Sequence, residues 1–416
     1  MNQDALAYDA ALRIVLEHSS ALPTQACPLA ACLDRVLAAP IVSEAALPPF
    51  DNSAMDGFAL RGDATVPAGT ELAIEGEQAA GDGIACARDG AWEIMTGARI
   101  PDGLDRVIPV EQVERSATGA RIKLLADVGP GQNVRSAGSD VAHGETVLAA
   151  GTLLRAQQLA LLAALGVAEV PVAARPRVAV VCTGRELVDD PAQALSPGQI
   201  RNSNGPFLAA RLPLAGADVV HQETVGDDAA AFAAALRRGL DAGANVIVTS
   251  GAVSMGRYDF VPQALERRGA RTLFHKVAIR PGKPLLFARL PGNVLLFGLP
   301  GNPIAVAVGL RFFVEPALRV MLGMPRERPC RVPLLRAYEK KPRLRFFLKS
   351  RLHIDAQGRL AVEVLDGQES YRIRPLAHAN AWAAIPADVD ALPAGAMVDV
   401  HGPGHLEFPL PCRSDA

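Results

Sequence analysis

Three short strand-like runs, at residues 178–181, 219–224 and 246–249, constrain this chain more than any other feature, because each breaks into a turn and is followed by a helical pattern or a further turn. Strand and helix alternating at this spacing predict a doubly wound parallel sheet. The first run opens into Thr183-Gly184-Arg185-Glu186, and a helix is expected over 207–214 with Asn202-Ser203-Asn204 on its N-terminal side. The second leads through Gly226-Asp227-Asp228 into an Ala-rich helix to about residue 240, with Asp227 or Asp228 as N-cap. The third breaks into Thr249-Ser250-Gly251-Ala252-Val253-Ser254-Met255-Gly256-Arg257-Tyr258-Asp259. A hairpin around Pro291-Gly292-Asn293 and a long apolar helix over 304–322 complete the section. Buried strands ending in Gly/Ser turns leave backbone N–H groups bare at the carboxyl edge, where open α/β sheets bind ligands.

Two further turns carry charge or glycine toward that edge: Lys276-Val277-Ala278-Ile279-Arg280-Pro281-Gly282-Lys283-Pro284 and Gly298-Leu299-Pro300-Gly301-Asn302-Pro303. Any one Gly-rich turn only reverses the chain. Three of them interleaved with Lys276, Arg280 and Lys283 point to an anionic, phosphorylated ligand, since Arg forks onto oxoanions and Lys acts as a point charge. Four carboxylates, Asp56, Glu186, Asp227 and Asp259, stand at strand or turn ends. Beside a phosphate they repel the ligand unless Mg²⁺ bridges the two. Spacing alone accounts equally well for Asp227 as a helix cap and Glu186 as a turn residue. The chain has no GxxxxGK followed by Ser or Thr, and Gly129-Pro130-Gly131 lacks the third glycine of a dinucleotide fingerprint. Neither a P-loop NTPase nor an ordinary NAD enzyme is supported.

The flanks have a different texture. Tyr8, Ala11, Leu12, Val15 and Leu16 recur at helical spacing, and a second short helix is expected over 29–38, before Pro40. From Leu47-Pro48-Pro49-Phe50-Asp51-Asn52-Ser53-Ala54-Met55-Asp56-Gly57 to about residue 140, short strands and turns predict a small β-domain. Helix returns over 156–165, with Gly166 as its left-handed cap. The predicted organisation is a discontinuous helical and linker domain (1–46 and 141–175), an inserted β-domain (47–140), an α/β domain (176–325) and a C-terminal β-domain (326–416). At 416 residues, half of them hydrophobic, several cores are expected. Lys plus Arg number 42 against 44 for Asp plus Glu, which gives no support to nucleic-acid or anionic-membrane binding. Six scattered cysteines show no zinc spacing and read as reduced thiols. Without a signal-peptide pattern or an apolar run of about 18 residues, a cytoplasmic protein is expected.

The ordered motifs Phe50 to Gly57, Met95-Thr96-Gly97-Ala98, Asn133-Val134-Arg135-Ser136-Ala137-Gly138-Ser139-Asp140, Thr183-Gly184-Arg185-Glu186-Leu187, Ser250 to Asp259, Arg280-Pro281-Gly282-Lys283-Pro284 and Leu299-Pro300-Gly301-Asn302-Pro303 resemble the molybdopterin molybdenumtransferases, the MoeA family that includes the E domains of gephyrin and the plant Cnx proteins. The resemblance implies an enzyme of molybdenum cofactor biosynthesis that takes adenylylated molybdopterin and molybdate, inserts the metal at the dithiolene sulfurs and releases AMP, with Mg²⁺ required. It implies an elongated homodimer with a MogA-like α/β domain facing the partner's inserted β-domain, and as partners a MogA-type adenylyltransferase and molybdoenzyme maturation factors. Asp56, Thr96 and Asp140 would come from one subunit, and Glu186, Asp227, Asp259, Lys276, Arg280 and Lys283 from the other. Asp56, Glu186, Asp259, Lys276 and Arg280 would carry the chemistry, with Glu186 and Asp259 on Mg²⁺. Ser203, Asn204, Ser250, Gly251, Ser254, Pro300, Gly301 and Asn302 would line the pterin-nucleotide site, and Lys349 and Ser370 would approach molybdate. The chain departs from the family at Ser139, at Asn202, at Arg280 in place of Lys, and at Arg185 where the family has Asp. A noncatalytic scaffold or ligand-binding paralogue, and a tungstate-handling variant, are the alternatives.

Overall fold

Helix α1 (Tyr8–Glu17) buries Ala11, Leu12 and Val15. In the computed structural model, which describes residues 5–252, 260–340 and 343–413, this stripe does not join the helical module suggested by the sequence. Ala11 and Val15 share a core with Val178, Val180 and Phe313, and the Tyr8 ring meets Phe313 and Phe347 edge-on, with centroids 5.5 and 5.1 Å apart. The remaining module rests on an antiparallel pair, Thr24–Pro28 with Glu169–Ala173. Against it packs α2 (Ala156–Ala164), whose Leu162 is buried with Cys27, Cys32, Leu37, Val170 and Val172. Gly166, at φ 75°, closes α2 by bonding Ala163 O while the Val167 N–H reaches Leu162 O, a Schellman cap. The helix expected over 29–38 shrinks to one 3₁₀ turn, Leu29–Ala31. Asp34 turns to φ 60°, and Val36 and Leu37 then pair with Leu153 and Val172. Extended pairing with these distant segments wins there over weak local helix propensity. A six-stranded sheet with its own core lies within residues 57–124.

The α/β unit contains β1 (Arg177–Thr183), α3 (Asn204–Leu214), β2 (Asp218–Val225), α4 (Ala229–Asp241), β3 (Val246–Ser250), α5 (Val261–Glu266), β4 (Arg271–His275), β5 (Leu286–Arg289) and β6 (Leu295–Leu299). Their order across the sheet is β2-β1-β3-β6-β5-β4. The first four strands are parallel; β5 runs antiparallel to both β6 and β4. The sheet is therefore mixed, because the short turn at Gly292, φ 77°, can only join antiparallel neighbours. Alternation along each strand supplies both faces. Val178, Val180, Val246, Val248 and Phe297 pack with α1 and α3, while Ala179, Val181, Ile247 and Leu296 pack with α4 and α5. Val178, Val180, Val181, Val246, Ile247 and Val248 are all 0% exposed, and each such side chain contributes roughly 1.5–3 kcal/mol through burial.

Helices α6 (Pro303–Gly309) and α7 (Glu315–Met321) are joined without a break by a π-helical turn over Leu310–Val314. Beyond them, β7 (Arg345–Ile354), β8 (Ala381–Ile385) and β9 (Met397–His401) are adjacent strands of the C-terminal sheet. The connection between β4 and β5 adds a short edge strand, Ile279–Arg280, to that sheet, parallel to β7. Among the described residues, no helix is long and apolar enough to cross a membrane.

Candidate active site

Two antiparallel steps, β6 to β5 and β5 to β4, restore the original direction, so β4 ends at the same sheet edge as β1, β3 and β6. The turns singled out in the sequence thus share one edge. From β1 to β4 it spans four strand spacings, about 19 Å. Its centre is tightly built. Gly251 holds φ 93°, and a Cβ there would stand 2.4 Å from Thr183 O and 2.5 Å from Thr183 Oγ1. Thr183 Oγ1 donates to Ser250 O at 3.2 Å. A Cβ on Gly301 would come within 3.9 Å of Gly251 Cα, and Asn204 Nδ2 donates to Gly301 O at 2.8 Å. Asn202 is buried; its Nδ2 donates to Asp189 Oδ1 and Thr224 Oγ1 at 2.9 and 3.0 Å, and its Oδ1 accepts the Gly205 N–H. Burial pushes the Cys182 thiol up, with the Ser250 and Asn202 side chains partly opposing. Ser203 is half-buried ahead of α3, Pro300 is buried, and Asn302 is exposed at the start of α6.

The β4–β5 end is basic. Lys276 has φ 82°, its N–H bonds Leu285 O at 2.9 Å, and its carbonyl accepts the Leu6 N–H at 3.1 Å. The chain ahead of α1 thereby straps the lysine turn. The Val277 N–H reaches Lys283 O at 2.9 Å, closing the loop on which Arg280 and Lys283 are exposed. The Arg280 guanidinium lies 5.4 Å from the Phe346 ring centroid, which orients it from the C-terminal sheet.

Carboxylates gather at the β1–β2 end. Glu186 is half-buried and folds back, its oxygens 2.7–2.8 Å from where a Cβ on Gly184 would stand. Asp228 Oδ1 caps α4 by accepting the Ala231 N–H at 2.7 Å. That leaves Asp227 exposed and facing the neighbouring turn, where Oδ2 accepts the Arg185 N–H at 3.4 Å. Among the described residues, no three His, Cys, Asp or Glu side chains form a metal cage. Glu186 and Asp227 are hard oxygen donors on adjacent turns. Such a set fits an Mg²⁺ ion that keeps most of its water and leans on ligand phosphates.

Of the other expected residues, Lys349 and Ser370 reach the edge only through the start of α6. Lys349 on β7 is 0% exposed, and Nζ donates to Gly367 O and Arg372 O at 2.6 and 3.0 Å. Burial pulls its ammonium down to about 8, with Glu369 opposing. Lys349 thus braces the 367–372 loop from beneath, and Ser370 O on that loop accepts the Ile304 N–H at the start of α6. Gln368, which no sequence signal singles out, clamps the Lys349 backbone through Oε1 and Nε2 at 3.0 and 2.8 Å. Asp56 Oδ1 accepts the Thr96 N–H at 2.7 Å, and the exposed Asp140 donates its own N–H to Leu47 O. The described contacts of these three stay within residues 47–140: Asp56 and Thr96 meet, Asp140 bonds Leu47, and none of them bonds a residue of the sheet edge. Ser254 and Asp259 lie outside the described residues.

Comparison with known proteins gives the same outline over nearly the whole chain. Residues 6–166 match the MoeA N-terminal region (domain I and II), 179–320 a probable molybdopterin binding domain, and 331–402 the MoeA C-terminal region (domain IV). The molybdopterin molybdenumtransferase of Synechococcus elongatus is 38% identical over 411 residues, 95% of this chain and 99% of that protein. Molybdopterin molybdenumtransferase 2 of Mycobacterium tuberculosis is 38% identical over 93% of this chain and 97% of its own length. The solved molybdopterin biosynthesis moeA protein from Pyrococcus horikoshii superposes with a TM-score of 0.80 at 28% identity, covering 95% of this chain and 99% of that one. On this match of length, sequence and fold, the chain belongs to the MoeA family.

Proposed function

We propose that this protein is a molybdopterin molybdenumtransferase, which inserts molybdate into adenylylated molybdopterin and releases AMP. The observation that carries the reading is the polarity of one sheet edge: Lys276, Arg280 and Lys283 follow β4 at one end, while Glu186 follows β1, four strand spacings or about 19 Å away, and Asp227 follows β2, one strand further. A long ligand with a phosphate on its pterin half and a nucleotide on the other fits that layout.

The cations neutralise the pterin phosphate and the incoming oxoanion, Arg280 by forking and the lysines as point charges. The packed ring of Thr183, Ser250, Gly251, Asn204 and Gly301 leaves backbone close to the ligand and holds the turns in register. Glu186, with Asp227 beside it, would hold Mg²⁺, whose chemistry is to offset charge on the departing AMP phosphate. Asp259 is proposed as a further oxygen donor from its sequence position. Because Asp56, Thr96 and Asp140 keep to their own unit, a second copy of the chain would bring them to the edge, giving a site shared across a homodimer.

The test is incubation of the purified protein with adenylylated molybdopterin while molybdate or Mg²⁺ is withheld in turn. AMP release that needs both supports the transferase. Release indifferent to molybdate, or none at all, overturns it.

A further inference from the structure

Arg185 stands at the acidic end of the edge, on the turn that leaves β1. Its backbone is fixed, the N–H on Asp227 Oδ2, while its side chain is exposed. Among the described residues, its guanidinium has no hydrogen-bond or ion-pair partner. Arg201, the next arginine at this end, differs: it bonds Asp190 O at 2.6 Å and also Gln193 O, so its charge is already committed to the loop. Arg238, on α4, is paired with Glu223. Arg185 is thus an uncommitted cation next to Glu186 in sequence and tied through its backbone to Asp227, at the end that lacks the lysines. A phosphate arriving there meets two negative charges, and one free guanidinium on a held backbone offsets part of that repulsion while offering two parallel donors.

We propose that Arg185 is a ligand-binding residue that forks onto the phosphate of the nucleotide half and substitutes in part for the divalent cation there. The protein then binds a nucleoside monophosphate even without Mg²⁺. This deepens the transferase reading and rests on it. An isolated acidic turn would give nucleotide affinity only in the presence of the metal. With Arg185, affinity in chelator persists and falls with added salt, because one exposed contact is screened.

The experiment is calorimetric titration of the full-length protein with AMP, in EDTA and again in saturating Mg²⁺, comparing wild type with Arg185→Ala, Arg185→Lys and Arg185→Asp. In EDTA the wild type is expected to bind, Arg185→Ala to bind roughly 10- to 100-fold more weakly, Arg185→Lys to recover part of the loss and Arg185→Asp to bind worst. In Mg²⁺ the gap between wild type and Arg185→Ala narrows. Arg185→Ala binding within about twofold of wild type in EDTA, with an unchanged melting temperature, overturns the role of Arg185 and leaves the transferase standing. Wild type that fails to bind AMP in either buffer also overturns the role of Arg185, while the transferase falls only if AMP release from the adenylylated ligand fails as well.

Discussion

Gly251 shows how much of the site depends on single atoms. Its φ of 93° and the 2.4 Å between a would-be Cβ and Thr183 O leave no room for a side chain. Gly251→Ala should cost about 1–3 kcal/mol in urea unfolding and separate the β1 and β3 turns, so that ligand affinity falls with stability. Lys349 makes the opposite point. Its buried ammonium satisfies the Gly367 and Arg372 carbonyls, so Lys349→Met should destabilise by about 2–4 kcal/mol and loosen the loop docked on Ile304. Equal unfolding midpoints for Lys349→Met and wild type would refute that role. The sequence exposed Gly251 because a glycine after a β-branched run marks a strand edge. Lys349 entered only through the family resemblance, since nothing local tells a buried lysine from a ligand-facing one.

At the scale of elements, β1, β2 and β3 were legible from their apolar runs, β5 and β6 from the turn at Pro291-Gly292-Asn293, and the cap of α4 as Asp227 or Asp228, of which the structure uses Asp228. The short α5 and β4 went unread, and two other features were not legible. The expected helix over 29–38 lost to pairing with strands more than a hundred residues away, and α1 docks by tertiary complementarity on a helix near residue 313. Both outcomes depend on distant partners that a local pattern does not contain. The segment before α1 has a testable task. Leu6 donates to Lys276 O and accepts from Ala278, so Leu6→Pro removes one of the two bonds by which Leu6 holds the lysine turn. It should raise KM for the adenylylated ligand several-fold while costing about 1 kcal/mol of stability. An unchanged KM would mean the turn holds itself.

The units of the molecule meet in a buried charge network. Arg311, 2% exposed, bonds Glu327 at 2.9 and 2.5 Å, and Glu315 accepts the His405 N–H at 2.8 Å. Burial pulls the His405 imidazole down to about 3, with its bond to Ala215 O opposing. Against burial, which would raise it, His401 and Arg311 hold the Glu327 carboxyl down to about 2. In each case the unfolded chain binds a proton that the native state refuses: for His405 as pH falls from about 6.5 towards 3, for Glu327 from about 4.5 towards 2. Both contributions are lost on acidification. His405→Gln should therefore flatten the dependence of unfolding free energy on pH between 6 and 4.5 by up to about 1.4 kcal/mol per pH unit. Parallel slopes for the two proteins would contradict it.

The proposed site unites residues from two ends of one sheet edge with a distant β-unit, and the charge polarity of that edge is its central claim. The most direct measurement is the initial rate of AMP release from adenylylated molybdopterin, with molybdate and Mg²⁺ present, for wild type, Glu186→Gln and Lys276→Ala. Molybdate-dependent release by wild type, reduced at least about 100-fold in each variant while both melt like wild type, is the predicted result. Rates in both variants within a few-fold of wild type would contradict it, because the two charged ends of the edge would then take no part in the reaction.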